Sequence, residues 1–286
     1  MRVTQTMLSG NMLRNLSSSY AKMGKLQNQI NTGKKVTRPS DDPVVAMKGI
    51  GYRTSLDKVE QFQRNIGEAY NWLDTSDDTF DKIGSAMQRA NELVVNAANG
   101  TNTPEDRLKI QSELDQIREH IQNLANTKVG DKYIFSGTKT KTPLYDGTGY
   151  PTVTSGFDKD VEIEVFDGIT LKVNTNAIDL FKNIDQMFQD IKDGTVDYGA
   201  AIGTIDEQMN DLLTTRANVG ARQNRVELMD NRLQTQEIIA TKQMSANEDI
   251  DYEKTITDMI TQESIHNAAL SVGAKIIQPT LVDFLR

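Results

Sequence analysis

Leu212, Val219, Val226, Leu233 and Ala240 recur every seven residues. A strict seven-residue apolar repeat commits a segment to a helix packed along a narrow seam. No glycine or proline falls between 221 and 272, so one very long helix is expected there. Tyr252, Ile256, Met259, Leu270, Ile277, Leu281 and Phe284 then follow a 3-4 alternation, with Glu263, His266 and Gly273 in the intervening slots. The N-terminal end repeats the pattern. Leu13, Leu16, Tyr20, Met23 and Ile30 form one series, interrupted at Gln27. Leu56, Val59, Ile66, Tyr70, Leu73 and Phe80 form a second, and Ile110, Leu114, Ile117, Ile121 and Leu124 a third. Neither end can cover its own seam, so the two ends are expected to pack on each other.

The start signals of these helices are physical. In Arg38-Pro39-Ser40-Asp41-Asp42-Pro43 an Asp carboxylate can cap exposed N–H groups, with proline at the first helical position. Thr103 before Pro104 is a second cap, and Asn99-Gly100-Thr101-Asn102 reads as the turn between antiparallel helices. The middle of the chain changes character. Val161, Ile163 and Val165 alternate with polar residues, as do Ile169, Leu171 and Val173. A three-residue loop, Phe166-Asp167-Gly168, would oppose Val165 to Ile169 and Ile163 to Leu171, burying one face. Tyr133, Ile134 and Phe135 start a further strand, and 176–193 returns to helix.

The expected fold is mainly α, a long antiparallel helical bundle from both chain ends with a small central β-rich insertion domain. Its divisions are an N-terminal helix disordered in the monomer (1–40) and the N-terminal half of a helical rod (41–130). The β-rich insertion (131–178), the C-terminal half of the rod (179–251) and a C-terminal helix disordered in the monomer (252–286) follow. Composition agrees with thin seams. Apolar residues make up 37% of the 286 residues and aromatics 6%, fewer than one large core requires.

Chemistry is hard to place. There is no cysteine, which excludes disulfides and thiolate ligands. His120 and His266 have no ligand-type neighbour at helical spacing, so surface or seam positions are expected and no metal. Asp41-Asp42, Asp77-Asp78 and Asp249/Asp251 are read as a cap and solvated faces. Gly49-Ile50-Gly51 lacks the third glycine of a dinucleotide loop. No catalytic residue and no cofactor are expected. The net charge of -8, with no basic stripe, argues against nucleic acid. The Gln/Asn/Asp-rich polar faces argue against a membrane surface. No segment has the length and apolarity of a membrane helix, and Met1–Met7 carries no apolar core of a cleaved signal.

Several segments resemble the flagellin superfamily. Thr37-Arg38-Pro39-Ser40-Asp41-Asp42-Pro43 is similar to its loop after the first helix. Gln88–Val95 with Asn96–Asn102 resembles its second helix and turn, Ile110–Leu114 the start of the next helix, and Thr280–Arg286 its terminus. The start Met1–Leu8, the segment Gly130–Gly137 and the ending Asp283-Phe284-Leu285 resemble the branch that joins hook to filament more than flagellins proper.

The resemblance implies a structural subunit, not an enzyme, sitting at the hook–filament junction outside the cell. It implies export without a cleaved signal peptide, with a dedicated chaperone holding the C-terminal segment. It further implies a ring of like subunits in contact with other junction subunits and flagellin. Leu13, Leu16, Tyr20, Met23, Ile30, Tyr252, Ile256, Met259, Leu270, Ile277, Leu281 and Phe284 are the expected assembly interface. Arg89, Leu93 and Glu113 match positions through which an innate immune receptor recognises some flagellins. A filament subunit is the alternative within the superfamily, and a cytosolic coiled-coil scaffold or chaperone is the alternative outside it.

Overall fold

Long uninterrupted runs of helix formers become helix wherever one face can be buried. The computed structural model describes residues 5–99, 102–147, 149–151 and 156–277. In order it holds α1 (Gln5–Thr32), α2 (Pro43–Ala98), α3 (Pro104–Ala125), β1 (Lys128–Val129) and β2 (Lys132–Tyr133). Then come β3 (Glu162–Phe166), β4 (Ile169–Lys172), α4 (Ile178–Lys192), α5 (Tyr198–Glu248) and α6 (Tyr252–Ile277). The fold is mainly α with two small antiparallel sheets, β1–β2 and β3–β4. Two units are distinguished, one of residues 1–58 with 237–286 and one of residues 59–236. Helices α2 and α5 contribute to both.

In the unit of residues 59–236, α2 and α5 run antiparallel. Arg216 on α5 meets Asp77 at 2.7 Å, and Gln223, one heptad on, meets Asp74 at 2.8 Å. The seven-residue repeats lie inside. Val59, Ile66, Leu73, Phe80 and Met87 on α2, and Leu212, Val219, Val226 and Leu233 on α5, are buried in one apolar core. Each such side chain contributes about 1.5–3 kcal/mol on leaving water. Helix α4 buries Phe181, Ile184 and Phe188 at helical spacing and is tied to α3 by a bidentate pair, Arg118 to Asp185 at 2.7 and 2.9 Å. Phe135 links the β region to the helices, its ring centre 5.3 Å from that of Phe80 and 5.2 Å from that of Phe181.

The caps are where the sequence puts them. Asp42 Oδ1 accepts from the N–H groups of Val44 and Val45 at 3.0 and 3.1 Å. Thr103 Oγ1 accepts from Asp106 N–H at 3.2 Å, with Pro104 beginning α3. Of the turn before it, Gly100 and Thr101 lie outside the described residues.

Three expectations are corrected. The long helix breaks at residues 249–251, because two backbone groups flanking Asp249 are turned to other partners: Glu248 O accepts from Lys35 N–H at 2.6 Å, and Ile250 N–H donates to Gly33 O at 3.0 Å, bridging Asp249 to Lys34. Asp251 then caps α6, its Oδ1 accepting from Lys254 N–H. In the hairpin Ile163 faces Leu171 as expected, but Phe166, not Val165, stands opposite Ile169. A one-residue bulge between Glu164 and Phe166 absorbs the difference around a tighter Asp167-Gly168 turn, with Gly168 at φ 74°. The strand at Tyr133 stops there. Ile134 and Phe135 are buried outside any ladder, and Ile134 N–H donates to Thr127 O.

Candidate assembly surface of the terminal helices

Helices α1 and α6 lie antiparallel. Gly33, just after α1, faces the Tyr252 hydroxyl at the start of α6, and Met12 faces Gly273 near the other end. Between them Ser19 Oγ accepts from Gln262 Nε2 at 2.8 Å, and the Tyr20 and His266 rings lie 6.1 Å apart. Met12, Leu16, Ser19, Met23, Leu26 and Ile30 of α1 turn inward, each half-buried or buried. From α6 the inward residues are Thr255, Met259, Gln262, His266, Ala269 and Gly273. That spacing alternates 4 and 3, as a seam requires, but most of its α6 members are small or polar. Gly273 serves as a notch, since a Cβ there would collide with the Met12 terminus. His266 Nδ1 is buried in the seam without a hydrogen-bond partner.

The large apolar side chains face elsewhere. Leu13 is 60% and Tyr20 67% exposed on α1. On α6 Tyr252, Ile256, Ile260 and Leu270 are exposed too. At about 100° per residue these sit about a quarter-turn from each helix's inward row, and in an antiparallel pair the two displacements fall on the same side. One side of the pair is therefore an apolar strip. The other side holds a shallow cleft lined by Lys22, Lys25, Leu26, Gln29, Asp258, Thr261 and Gln262, with Ile265 and Val272 exposed further along α6. The remainder of this unit adds exposed Val44, Met47 and Ile50 on the first turns of α2. The unit of residues 59–236 leaves few such residues exposed, among them Leu108 and Leu228.

The expected interface residues thus divide. Leu13, Tyr20, Tyr252, Ile256 and Leu270 form the exposed strip, whereas Leu16, Met23, Ile30 and Met259 help cover the α1–α6 seam. Leu281 and Phe284 lie outside the described residues, as does the side chain of Ile277. Ser19, Gln262, His266 and Gly273 belong to the seam and are absent from the apolar series. Their signal was the shared heptad spacing, masked by their polarity and size.

At the base of the pair Lys34 Nζ meets Asp249 Oδ1 at 2.7 Å, and Arg53 meets Glu248 at 2.6 Å. The hydrogen bond to Asp249 raises the Lys34 pKa. Lys34, then Ser245, hold the Asp249 carboxyl below its ordinary value. The loop motif folds as a turn: Arg38 N–H donates to Asp41 Oδ2 at 3.2 Å and Asp41 N–H to Arg38 O at 2.9 Å. Elsewhere, Arg89 donates to Glu113 at 2.7 and 3.0 Å on an exposed surface, while Leu93 is 6% exposed. Among the described residues no group of His, Asp and Glu is placed to hold a metal ion, and no helix is long and apolar enough to cross a membrane.

Two family regions flank the middle of the chain. Residues 3–140 match the bacterial flagellin N-terminal helical region, and residues 202–285 match the bacterial flagellin C-terminal helical region. The chain belongs to the bacterial flagellin family. Within the flagellin family it is 28% identical over 297 residues to flagellar hook-associated protein 3 of Escherichia coli K12, covering 93% of each chain. It is 23% identical to a flagellin of Bacillus subtilis, covering 96% of each. The crystal structure of Bacillus cereus FlgL is similar with a TM-score of 0.57 and 26% identity, over 68% of this chain and 99% of that one. The flagellin-family resemblance carried by the Arg38–Pro43 loop and the paired helices is thereby extended to nearly the whole chain.

Proposed function

We propose that this chain is a structural subunit of the hook–filament junction, on which the first flagellin subunits are laid. The observation that carries the assembly reading is the apolar strip of Leu13, Tyr20, Tyr252, Ile256, Ile260 and Leu270, which one α1–α6 pair cannot cover. Side chains of that size exposed in a row are a surface for other subunits. The identity of 28% to hook-associated protein 3, against 23% to the flagellin, supports the junction rather than the filament.

In this reading copies form a ring between another junction subunit and flagellin, outside the cell. The chain is exported with its ends unfolded and without a cleaved signal, and a chaperone holds the C-terminal segment. The ends (1–40 and 252–286) order once neighbours cover the strip. The role is mechanical, with no catalytic residue, cofactor, nucleic acid or membrane contact. A strain lacking this chain should make hooks without filaments and shed flagellin into the medium. Normal filaments in that strain would contradict the proposal.

A second reading rests on Arg89 and Glu113 sharing one exposed surface. An innate receptor specific for flagellins would contact these two, with the buried Leu93 acting only through packing. Receptor-reporter cells given purified protein should respond, and silence at high dose would end this reading.

A further inference from the structure

A cleft of about 720 Å³ lies between α3, the end of α4 and the loop of residues 143–147. That volume is within the range of small-ligand sites. Its walls are held from behind. Arg118 turns its guanidinium inward, to Asp185 at 2.7 and 2.9 Å and to Gln189. Gln122 Nε2 donates to the same Asp185 at 2.7 Å. Asn126, at the end of α3, clasps the main chain of Tyr145. Its Nδ2 donates to Tyr145 O at 2.8 Å, and its Oδ1 accepts from Tyr145 N–H at 3.0 Å. An amide spent in this way holds a surface loop in one place. The Tyr145 ring packs on that of Tyr150, their centres 5.2 Å apart. Tyr133 of β2 also lines the cleft, with Lys128 Nζ 4.4 Å from its ring centre. Two polar side chains of the lining are left unspent. Glu119 and Asn123, one turn apart on α3, are exposed, and their side chains have no partner among the described residues.

We propose that this cleft binds a neutral saccharide, with Glu119, Asn123, Tyr133 and Tyr145 as its contacts. The chemistry of the lining selects the ligand class. Both cations of the lining are occupied, Arg118 as above and Lys192 by Asp115 at 3.0 and 3.1 Å. An anionic ligand would therefore find no free countercharge, which such ligands are recognised by. An apolar ligand would leave a carboxylate and an amide buried and unpaired. A sugar meets both conditions. Its hydroxyls donate to the Glu119 carboxylate, and the Asn123 amide both donates to and accepts from them. Its C–H faces lie against tyrosine rings, which offer an apolar body with a polar tip. Hydrogen bonds to a carboxylate are the strong ones, and a loop already clasped by Asn126 has little freedom left to lose on binding. The inference does not rest on the junction reading.

The test titrates the full-length chain by calorimetry with maltotriose, mannotriose and chitotriose, and with sialyllactose beside its neutral core, lactose. At least one neutral trisaccharide should bind with a Kd on the order of 1 mM or tighter, and sialyllactose should bind no more tightly than lactose. Glu119→Ala/Asn123→Ala should weaken the trisaccharide by at least about tenfold, the loss expected for a hydrogen bond to a charged group. Glu119→Lys, a second exchange at an exposed helix position, should do the same. Lys109→Ala, which removes an exposed ion pair with Asp106 on the same helix outside the cleft, should bind as the parent does. Trp72, the single tryptophan and 1% exposed, should show the parent's emission in all three variants, as the unit of residues 59–236 stays folded. No binding of any neutral trisaccharide at about 10 mM, tenfold above that Kd, would overturn the proposal. So would equal binding by the cleft variants, or tighter binding of sialyllactose than of lactose. The competing occupant is a segment of a neighbouring subunit. In a strain that lacks the chain, Glu119→Ala/Asn123→Ala should restore filaments as the parent does, and bare hooks despite export of the variant would make the cleft a subunit contact and overturn the proposal.

Discussion

Gly273 sits where any side chain would displace Met12, and the contact it makes is one of shape alone. A well-packed seam tolerates little extra volume, and a residue forced into it costs about 1–3 kcal/mol. Gly273→Val should therefore open the distal half of the α1–α6 pair. The expected outcome, in a strain carrying this variant in place of the parent, is fewer filaments per cell while Trp72 emission of the purified chain stays that of the parent, and a parental filament number would contradict the assignment of Gly273 as a notch. Read as sequence, Gly273 was an interruption in an apolar series. Its role emerges only from the residue opposite it. The same holds for Glu248. Nothing in a Gln/Asn/Asp-rich helix end marks one carboxylate as buried, and the mark is supplied by Arg53 and Lys34, 195 and more residues away. Polar residues that matter by pairing across such distances leave no local pattern.

Among elements, the longest repeats were the most legible. The series Leu212, Val219, Val226, Leu233 and Ala240 is buried along its whole length, because a period of seven sustained over many turns has one physical solution. Leu233 is fully buried. Leu233→Ala should lower unfolding stability by about 2–5 kcal/mol in a denaturant titration followed at Trp72. Leu228→Ala, 70% exposed on the same helix, should change it by less than about 0.5 kcal/mol. Equal effects would mean that the heptad does not carry this core. The caps at Asp42 and Thr103 were equally legible, since a cap is a local event. The break at residues 249–251 was hidden, because no glycine or proline marks it and it is stabilised by the distant segment of residues 33–35. The hairpin held its Ile163–Leu171 pairing but reached it through a bulge at Val165, as alternation fixes which face is buried without fixing how the turn is closed.

For the molecule as a whole, the family and the mainly α fold were readable from the Arg38–Pro43 loop and the seams at both ends. The candidate surface was readable only in part. Apolar periodicity in α1 and α6 marks the residues that seek cover, and it does not say whether the cover comes from the same chain. Here the partner helix covers Leu16, Met23, Ile30 and Met259, leaving Leu13, Tyr20, Tyr252, Ile256 and Leu270 outward. That division separates what folds one subunit from what would join it to the next. It is tested by returning variants to a strain that lacks the chain and counting filaments by electron microscopy. Ile256→Asp/Leu270→Asp, on the apolar strip, should leave hooks bare although the protein is exported. Lys22→Ser/Lys25→Ser, in the cleft on the opposite side of the same helix pair, should restore filaments. Filaments of normal number and length from the strip variant would contradict assembly through this face.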